Sequence, residues 1–555
     1  MDWQKNILIV AIFAVCLLLF LRFQDFDGHT PIATNTTSSN SSSSAGAIPN
    51  FSSQTSVTNN VKSETSIIAP NLINVKTDSL LVTIDPYGGD IISVSLPEHY
   101  ASLENPDKPF KLLERTENHF YVAQSGLVGI NGTDTAESRP TFSFDSTQYE
   151  LSENENNLVV DLVLHQNDVK IIKRFTFTRG EYAINVEYIV QNKSQNTWSA
   201  KLYGRIVRDG KTHDEVNQYH TKKNMFQLNP FLGVATSTNE ENYKKLTFDD
   251  INKTSLTFNH QGGWISLVQH YFVSAWIPSK ENQNQYTIQK IPNSEYYSLA
   301  FETQDILIAT NQEGSVRATF YAGPKDTVKL ESLSPYLDLT VDYGMLWWIS
   351  KPLFALMKFI HQFLGNWGLA IIGLTLIVKL VFYKLSKTSY VSMAKMKKLQ
   401  PKLAELKERY GEDRQRFSQE MMKLYKTEKV NPLGGCLPLL IQMPVFMALY
   451  FVLMEAVELR HAPFFGWITD LSVKDPLFIL PILYGISQWI TMKFSPQPPD
   501  PMQAKIMQML PFVFTFMFLF FPSGLVLYWL TNNILQIIQQ QIITKQIEKA
   551  DAKAK

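Results

Sequence analysis

The long apolar runs of this 555-residue chain are crowded into its last part, from about residue 346 onward, apart from one short run near the N-terminus. That asymmetry constrains the fold more than any single motif does. Apolar stretches of span length have to be buried in lipid or in a large core, whereas the roughly 270 residues before them contain none. The formal net charge is +0, which excludes a globally basic nucleic-acid binder, so no DNA partner is expected, and equally excludes an acidic disordered chain. The zero hides a division. Residues 24–345 hold about 37 Asp and Glu against about 25 Lys and Arg, while the apolar runs follow them. A polar part is joined to a membrane part.

At the N-terminus, Ile7 to Leu21 is apolar, with Lys5 before it and Arg22 after it. No small-x-small cleavage site follows, so residues 1–23 are expected to be an uncleaved transmembrane anchor. Residues 24–66, rich in Ser, Asn and Thr, have too little apolar surface to offset the entropy of ordering and read as a flexible linker. Residues 67–340 read as β. Leu80, Val82 and Ile84 alternate, Asp85-Pro86-Tyr87-Gly88-Gly89 is a turn signal, and Ile171 to Thr178 and Tyr182 to Val190 flank Arg179-Gly180 as a hairpin. Many short strands of this kind predict one large β-sandwich. The domain's histidines fall into no metal-ligand spacing, and no phosphate loop or nucleophile elbow is present. No cofactor, metal or enzymatic activity is expected.

The membrane part divides by its patterns. Residues 341–363 place Lys351, Lys358, His361 and Gln362 on one stripe beside Trp347 and Trp348, as in an interfacial amphipathic helix. Spans are expected at 364–383, 433–457, 476–492, 506–521 and 523–543, the last two divided at Phe521-Pro522-Ser523-Gly524; with the anchor these make six. Residues 384–430 carry about 13 Lys and Arg against about 6 acids and belong in the cytoplasm, as does the lysine-bearing tail at 544–555. Residues 458–475 then form an outer loop and 493–505 an inner one, with both termini cytoplasmic and the large domain outside. Met396, Leu399, Leu403 and Leu406, then Phe417, Met421 and Leu424, recur at helical spacing on either side of Tyr410-Gly411. They predict a cytoplasmic helical hairpin, its first arm open to interruption at Gln400-Pro401, whose basic faces suit ribosomal RNA, a targeting factor or acidic lipid headgroups.

Polar residues inside the spans carry the chemistry. Lys379 lies one turn past Thr375 in an apolar run; a lysine there faces a cavity or a partner, unless it snorkels to the nearby interface. Gln442 is in the next span, and Tyr528, Asn532 and Gln536 follow at four-residue steps in the last. No second buried charge is evident, Glu455 and Glu458 lying at the far end of their span. A cation among amides and hydroxyls implies a hydrated groove; helix–helix hydrogen bonding is the alternative for the amides. Such a groove would shorten the dry path for polar and acidic groups of a nascent polypeptide, whose apolar segment then slides into lipid.

The stretches Tyr390-Val391-Ser392-Met393-Ala394-Lys395-Met396, Asn431-Pro432-Leu433-Gly434-Gly435-Cys436, Leu439-Leu440-Ile441-Gln442-Met443-Pro444 and Phe521-Pro522-Ser523-Gly524-Leu525-Val526-Leu527-Tyr528-Trp529 resemble those of the YidC/Oxa family of membrane protein insertases, as does Ile538-Gln539-Gln540-Gln541. The resemblance covers about residues 365–545, and the anchor plus long polar domain is similar to the Gram-negative type. It implies a polytopic α-helical membrane protein with a five-helix insertase core in the cell inner membrane and an all-β periplasmic domain related in fold to sugar mutarotases. Its implied partners are nascent membrane proteins, membrane lipids, the Sec translocon for larger substrates, and a ribosome or targeting factor. The family's groove arginine falls on Lys379, which keeps the charge without the bidentate fork. The family's substrate-contacting positions fall on Thr375, Leu440, Phe446, Tyr528 and Trp529, with Trp529 where tyrosine is usual. A solute transporter with a periplasmic binding domain is the alternative, although mid-span carboxylates and broken helices in matching repeats are not evident. A third reading makes the sandwich a carbohydrate-active or binding domain that only uses a membrane anchor.

Overall fold

The computed structural model describes residues 72–211, 230–411, 413–428, 430, 437–494 and 501–554. The expected anchor (1–23), the linker (24–66) and the Asn431–Cys436 motif lie outside the described residues. Two compact units meet in sequence between Val341 and Asp342.

The first unit is built from two sheets. An 11-stranded sheet runs from Leu256–Gln261 through Gln283–Lys290, Tyr296–Glu302, Trp198–Asp209, Phe120–Val128, Asn105–Arg115, Asp90–Ser102, Leu81–Asp85 and Ile73–Lys76 to Gln148–Glu150, with Ile306–Ile308 paired beside Trp198–Asp209. An 8-stranded sheet runs from Lys244–Leu246 through Gly233–Thr236, Ile265–Val268, Phe272–Pro278, Gln312–Pro324, Ala183–Asn192 and Val169–Thr178 to Asn157–Gln166. Neighbours are antiparallel except for the parallel pair Ile73–Lys76 with Gln148–Glu150. Alternation does what the sequence promises. Val169, Ile171, Phe175 and Phe177 point inward along one strand and Ile184, Val186, Tyr188 and Val190 along its partner. The Tyr121 hydroxyl meets Ser274 Oγ at 2.5 Å across the two sheets. The turn at Pro86–Gly89 needs φ of 75° at Gly88 and 64° at Gly89, a region that glycine alone enters freely. Two short helices complete the unit: α1 (Phe248–Lys253), closed by a capping box between Thr247 and Asp250, and α2 (Thr327–Leu333), capped by Asp326.

On Val169–Thr178 one inward position is not apolar. Lys173 falls on the buried row between Ile171 and Phe175 and is 0% exposed. Its ammonium donates to the carbonyls of Gly88 (2.9 Å), Gly89 (2.7 Å) and Ser125 (3.0 Å) and lies 5.3 Å from the ring centres of Phe175 and Tyr188. Beside it, Arg139 bridges Asp90 (2.5 Å) and Asp134 (2.8 Å).

The second unit is helical. α3 (Trp347–Leu364) ends at Gly365, whose φ is 62°. Ser350 on α3 donates to Ala448 O at 3.1 Å, while Trp347, Trp348, Phe359 and Phe363 are exposed. α4 (Trp367–Val381) starts at Asn366, whose side chain accepts from Leu369 N. At Phe382 the chain turns by 69° into α5 (Tyr383–Lys398). The hairpin expected at 384–430 therefore begins with a helix continuous in sequence with the preceding one. Its turn-and-return portion is α6 (Gln400–Tyr410) and α7 (Arg414–Thr427), closed by a small core of Leu399, Leu403, Tyr425 and Val430. The break expected at Gln400-Pro401 falls at Leu399, with Pro401 inside the first turn of α6, where a missing N–H costs nothing.

The remaining helices are α8 (Leu437–Glu455), α9 (Ile479–Phe494), α10 (Pro501–Phe518) and α11 (Ser523–Ala554). These bounds shift those expected at 433–457, 476–492, 506–521 and 523–543, and the tail expected to start at 544 is the continuation of α11. The 458–475 loop is ordered by Leu471 N to Ala462 O (3.0 Å) and by Asp475, which accepts from Trp467 Nε1 (3.0 Å) and Leu480 N (2.7 Å). The Phe521–Gly524 turn is tied to the same loop through Ser523 N to Val473 O (2.7 Å) and Gly524 N to Leu471 O (2.9 Å). Among the described residues no single helix is long and apolar enough to cross a membrane by itself; α4 and α5 meet that test as a bent pair.

Candidate functional site: a lysine recess in the helical unit

The site is made by the bend. Lys379 occupies the last turn of α4, and the 69° turn at Phe382 folds α5 back so that Leu385 and Ser386 stand beside it. With Phe382, Val378, Gln442 and Val445 they enclose a recess of about 20 Å³. That is room for about one water molecule. The hydrated groove expected from the sequence has, among the described residues, this recess around one ammonium within it.

Inside it, Lys379 Nζ donates to Gln442 Oε1 at 3.4 Å. The same amide donates through Nε2 to the Tyr528 hydroxyl at 3.4 Å and to Asn532 Oδ1. Tyr528 and Asn532 lie four residues apart on one face of α11 and are 1% and 2% exposed, so their polar groups depend on this contact rather than on bulk water. Lys379 has no carboxylate partner among the described residues. Glu458, also expected to be remote, is engaged elsewhere, by Lys358 at 2.6 Å.

Other expected site residues do not join this set. Thr375 is buried, and its hydroxyl donates to Ile371 O at 2.7 Å, satisfied by its own helix instead of facing the recess. Phe446 packs on Trp529 with ring centres 4.7 Å apart, and Trp529 is also met by Phe518 at 5.8 Å and Tyr484 at 6.1 Å. The two therefore belong to an aromatic cluster that binds α8, α9, α10 and α11 together. Gln536 is half-buried a further turn along α11, with no hydrogen bond to the set among the described residues. Leu440 lies in α8, its side chain outside the described residues. Phe382, Leu385 and Ser386 were not anticipated. Phe382 follows Lys379 at i+3 and neighbours it in any helix, while Leu385 and Ser386 lie past the bend, which Val381-Phe382-Tyr383 does not signal with a proline or glycine.

Residues 72–356 match the family model described as "YidC periplasmic domain", and residues 359–550 match that described as "60Kd inner membrane protein". Membrane protein insertase YidC of Cellvibrio japonicus is 60% identical over 562 residues, covering 100% of both chains. That of Saccharophagus degradans is 49% identical over 566 residues, covering 99% of this chain and 100% of the relative. A crystal structure of an active YidC insertase with its first transmembrane domain resolved aligns at 19% identity over 86% of this chain and 92% of its own, with a TM-score of 0.37. At that score the kinship rests on sequence.

Proposed function

The chain belongs to the YidC family of membrane protein insertases, and on that premise we propose that Lys379 serves as the counter-charge lent to acidic groups of a substrate during insertion. The protein is an inner-membrane insertase with a periplasmic β domain. In the proposed mechanism a nascent segment enters beside the recess, its carboxylates exchange hydration for the ammonium, and its apolar segment leaves sideways into lipid, where hydrophobic burial completes the step. The observation that carries this reading is that, among the described residues, the ammonium makes a single bond, of 3.4 Å, to a neutral amide. A cation so weakly engaged can change partner, whereas one already paired with a carboxylate would have to break that pair first.

The reading extends to the whole chain. Six spans, counting the N-terminal anchor, place both termini in the cytoplasm and residues 67–340 in the periplasm. The basic hairpin of α6 and α7 receives a ribosome or targeting factor, and the Sec translocon joins for larger substrates. The expected groove residues Thr375, Leu440, Phe446 and Trp529 act as packing around the substrate path, and Lys379, Gln442, Tyr528 and Asn532 as its polar foothold, with Gln536 a turn beyond.

The test compares Lys379→Glu and Lys379→Arg in proteoliposomes, reading protease-protected product for a substrate with acidic residues in its translocated segment. Charge reversal is expected to lower the yield about tenfold, as for about one pKa unit's worth of interaction, while Lys379→Arg stays near wild type. Equal yields from the two variants would reject the charge role.

A further inference from the structure

A primary amide is nearly symmetric in shape but not in charge, and Gln442 sits where the difference matters. Its oxygen end faces the Lys379 ammonium and its nitrogen end faces α11. Rotated by half a turn, the same side chain would set its NH2 against the cation and remove the one acceptor the ammonium has among the described residues. Lys379 cannot enforce the favourable orientation alone through a single 3.4 Å contact. The closer contact lies on the other side, where Asn532 Oδ1 accepts from Gln442 Nε2 and the Tyr528 hydroxyl stands at 3.4 Å.

We propose that Asn532 is a positioning residue for insertion, which by fixing the amide of Gln442 fixes where the Lys379 ammonium rests. The proposal depends on the reading that this charge receives acidic groups of the substrate. Asn532 is 2% exposed and reaches Gln442 from a helix that Tyr528 also anchors, so it is rigid enough to set an orientation. Its influence passes wholly through Gln442: the ammonium's contact is with the amide oxygen, and Asn532 holds the amide nitrogen. Without the acceptor at 532, only the more distant Tyr528 hydroxyl restrains the amide, the ammonium's resting point loosens, and carboxylates meet a cation spread over several positions. Neutral segments, which do not use the charge, feel this much less.

The experiment measures protected product in proteoliposomes for two matched substrates, one with acidic and one with neutral translocated residues. Asn532→Leu, Lys379→Gln and the double variant are compared with wild type, each checked by circular dichroism for a wild-type melting profile. Asn532→Leu is expected to lower the acidic-to-neutral yield ratio about threefold, the scale of one net hydrogen bond, and to add nothing in the Lys379→Gln background. Asn532→Ser, which keeps an oxygen acceptor, is expected to retain most of the ratio. Should Asn532→Leu not fold, Asn532→Ala carries the same comparison. If Lys379→Gln lowers the ratio while the variant at 532 leaves it unchanged, or if the two losses multiply, the positioning role is overturned and the charge role stands. If Lys379→Gln itself leaves the ratio unchanged, the charge role and the positioning role fall together.

Discussion

Lys173 in the β unit and Lys379 in the helical unit are both lysines that sequence neighbours bury among apolar residues, and they are held in opposite ways. Lys173 has every direction filled: three carbonyls at 2.7–3.0 Å and two aromatic faces. Complete burial pushes its pKa down to about 7, with Asp90 opposing the shift and Arg139 adding to it. Lys379 has one bond of 3.4 Å and a small empty volume beside it. A cation enclosed by fixed dipoles ties a strand to a turn and has nothing left to offer. The under-coordinated one can exchange partners. Burial alone therefore does not mark a functional lysine; the number of donors left unspent does.

The comparison can be broken first at Lys173. Lys173→Met strips a donor from three buried carbonyls and is expected to cost about 3 kcal/mol of the β unit's stability, read from urea unfolding of the full-length protein in detergent. A loss under about 1 kcal/mol would mean that the carbonyls, not the lysine, organise the turn. The pH dependence sharpens the same point. The folded pKa of about 7 lies below the ordinary 10.5, so between these values the unfolded chain binds more protons. Stability contributed at this position therefore rises with pH across that window, and the penalty is fully present below it. The unfolding midpoint of wild type minus that of Lys173→Met should climb with that slope; a flat or falling difference rejects it. Next in size, Gln442→Glu gives Lys379 the carboxylate it lacks and makes it resemble Lys173. Insertion of acidic segments is expected to fall about fivefold, through a charge-assisted bond that the substrate must displace, and proteoliposome yields measure it. The smallest effect belongs to an exposed lysine. Lys402 pairs with Glu428 at 2.6 Å, with side chains 57% and 36% exposed, and Lys402→Ala should shift a thermal melt by under about 0.5 kcal/mol equivalent.

Much of this was readable before the fold was seen, and the reasons are specific. Period-two alternation located the strands Val169–Thr178 and Ala183–Asn192 because each has one wet and one dry face. Lys379, Gln442, Tyr528 and Asn532 stood out because polar groups in long apolar runs have few tolerable environments, and three of them do converge on Gln442. Thr375 shows what spacing leaves open: its hydroxyl closes on the preceding turn at Ile371 O, and helical spacing alone does not tell that from a shared pocket. Phe446 and Trp529 lie in an aromatic cluster whose ring packing the sequence does not announce, and Tyr528 joins it to the Gln442 contacts through a ring distance of 6.3 Å to Trp529. Lys173 went unnoticed because alternation treats any lysine as outward, and its partners come from residues 85 and 48 positions away. The 69° bend at Phe382 falls where the sequence has no proline or glycine to mark it.

One dimension of α11 has a consequence of its own. Its 32 residues extend about 48 Å at 1.5 Å per residue, against about 30 Å for a hydrocarbon core. The Ser523 end is moored to Leu471 and Val473, so the surplus of about 18 Å gathers wholly at the other end. Lys545 and Lys549, both exposed, ride on that overhang. On the proposed topology the C-terminal segment is a stiff boom that holds its positive charge at a set standoff from the bilayer, and trimming turns from it would draw that charge inward instead of merely shortening a loose end.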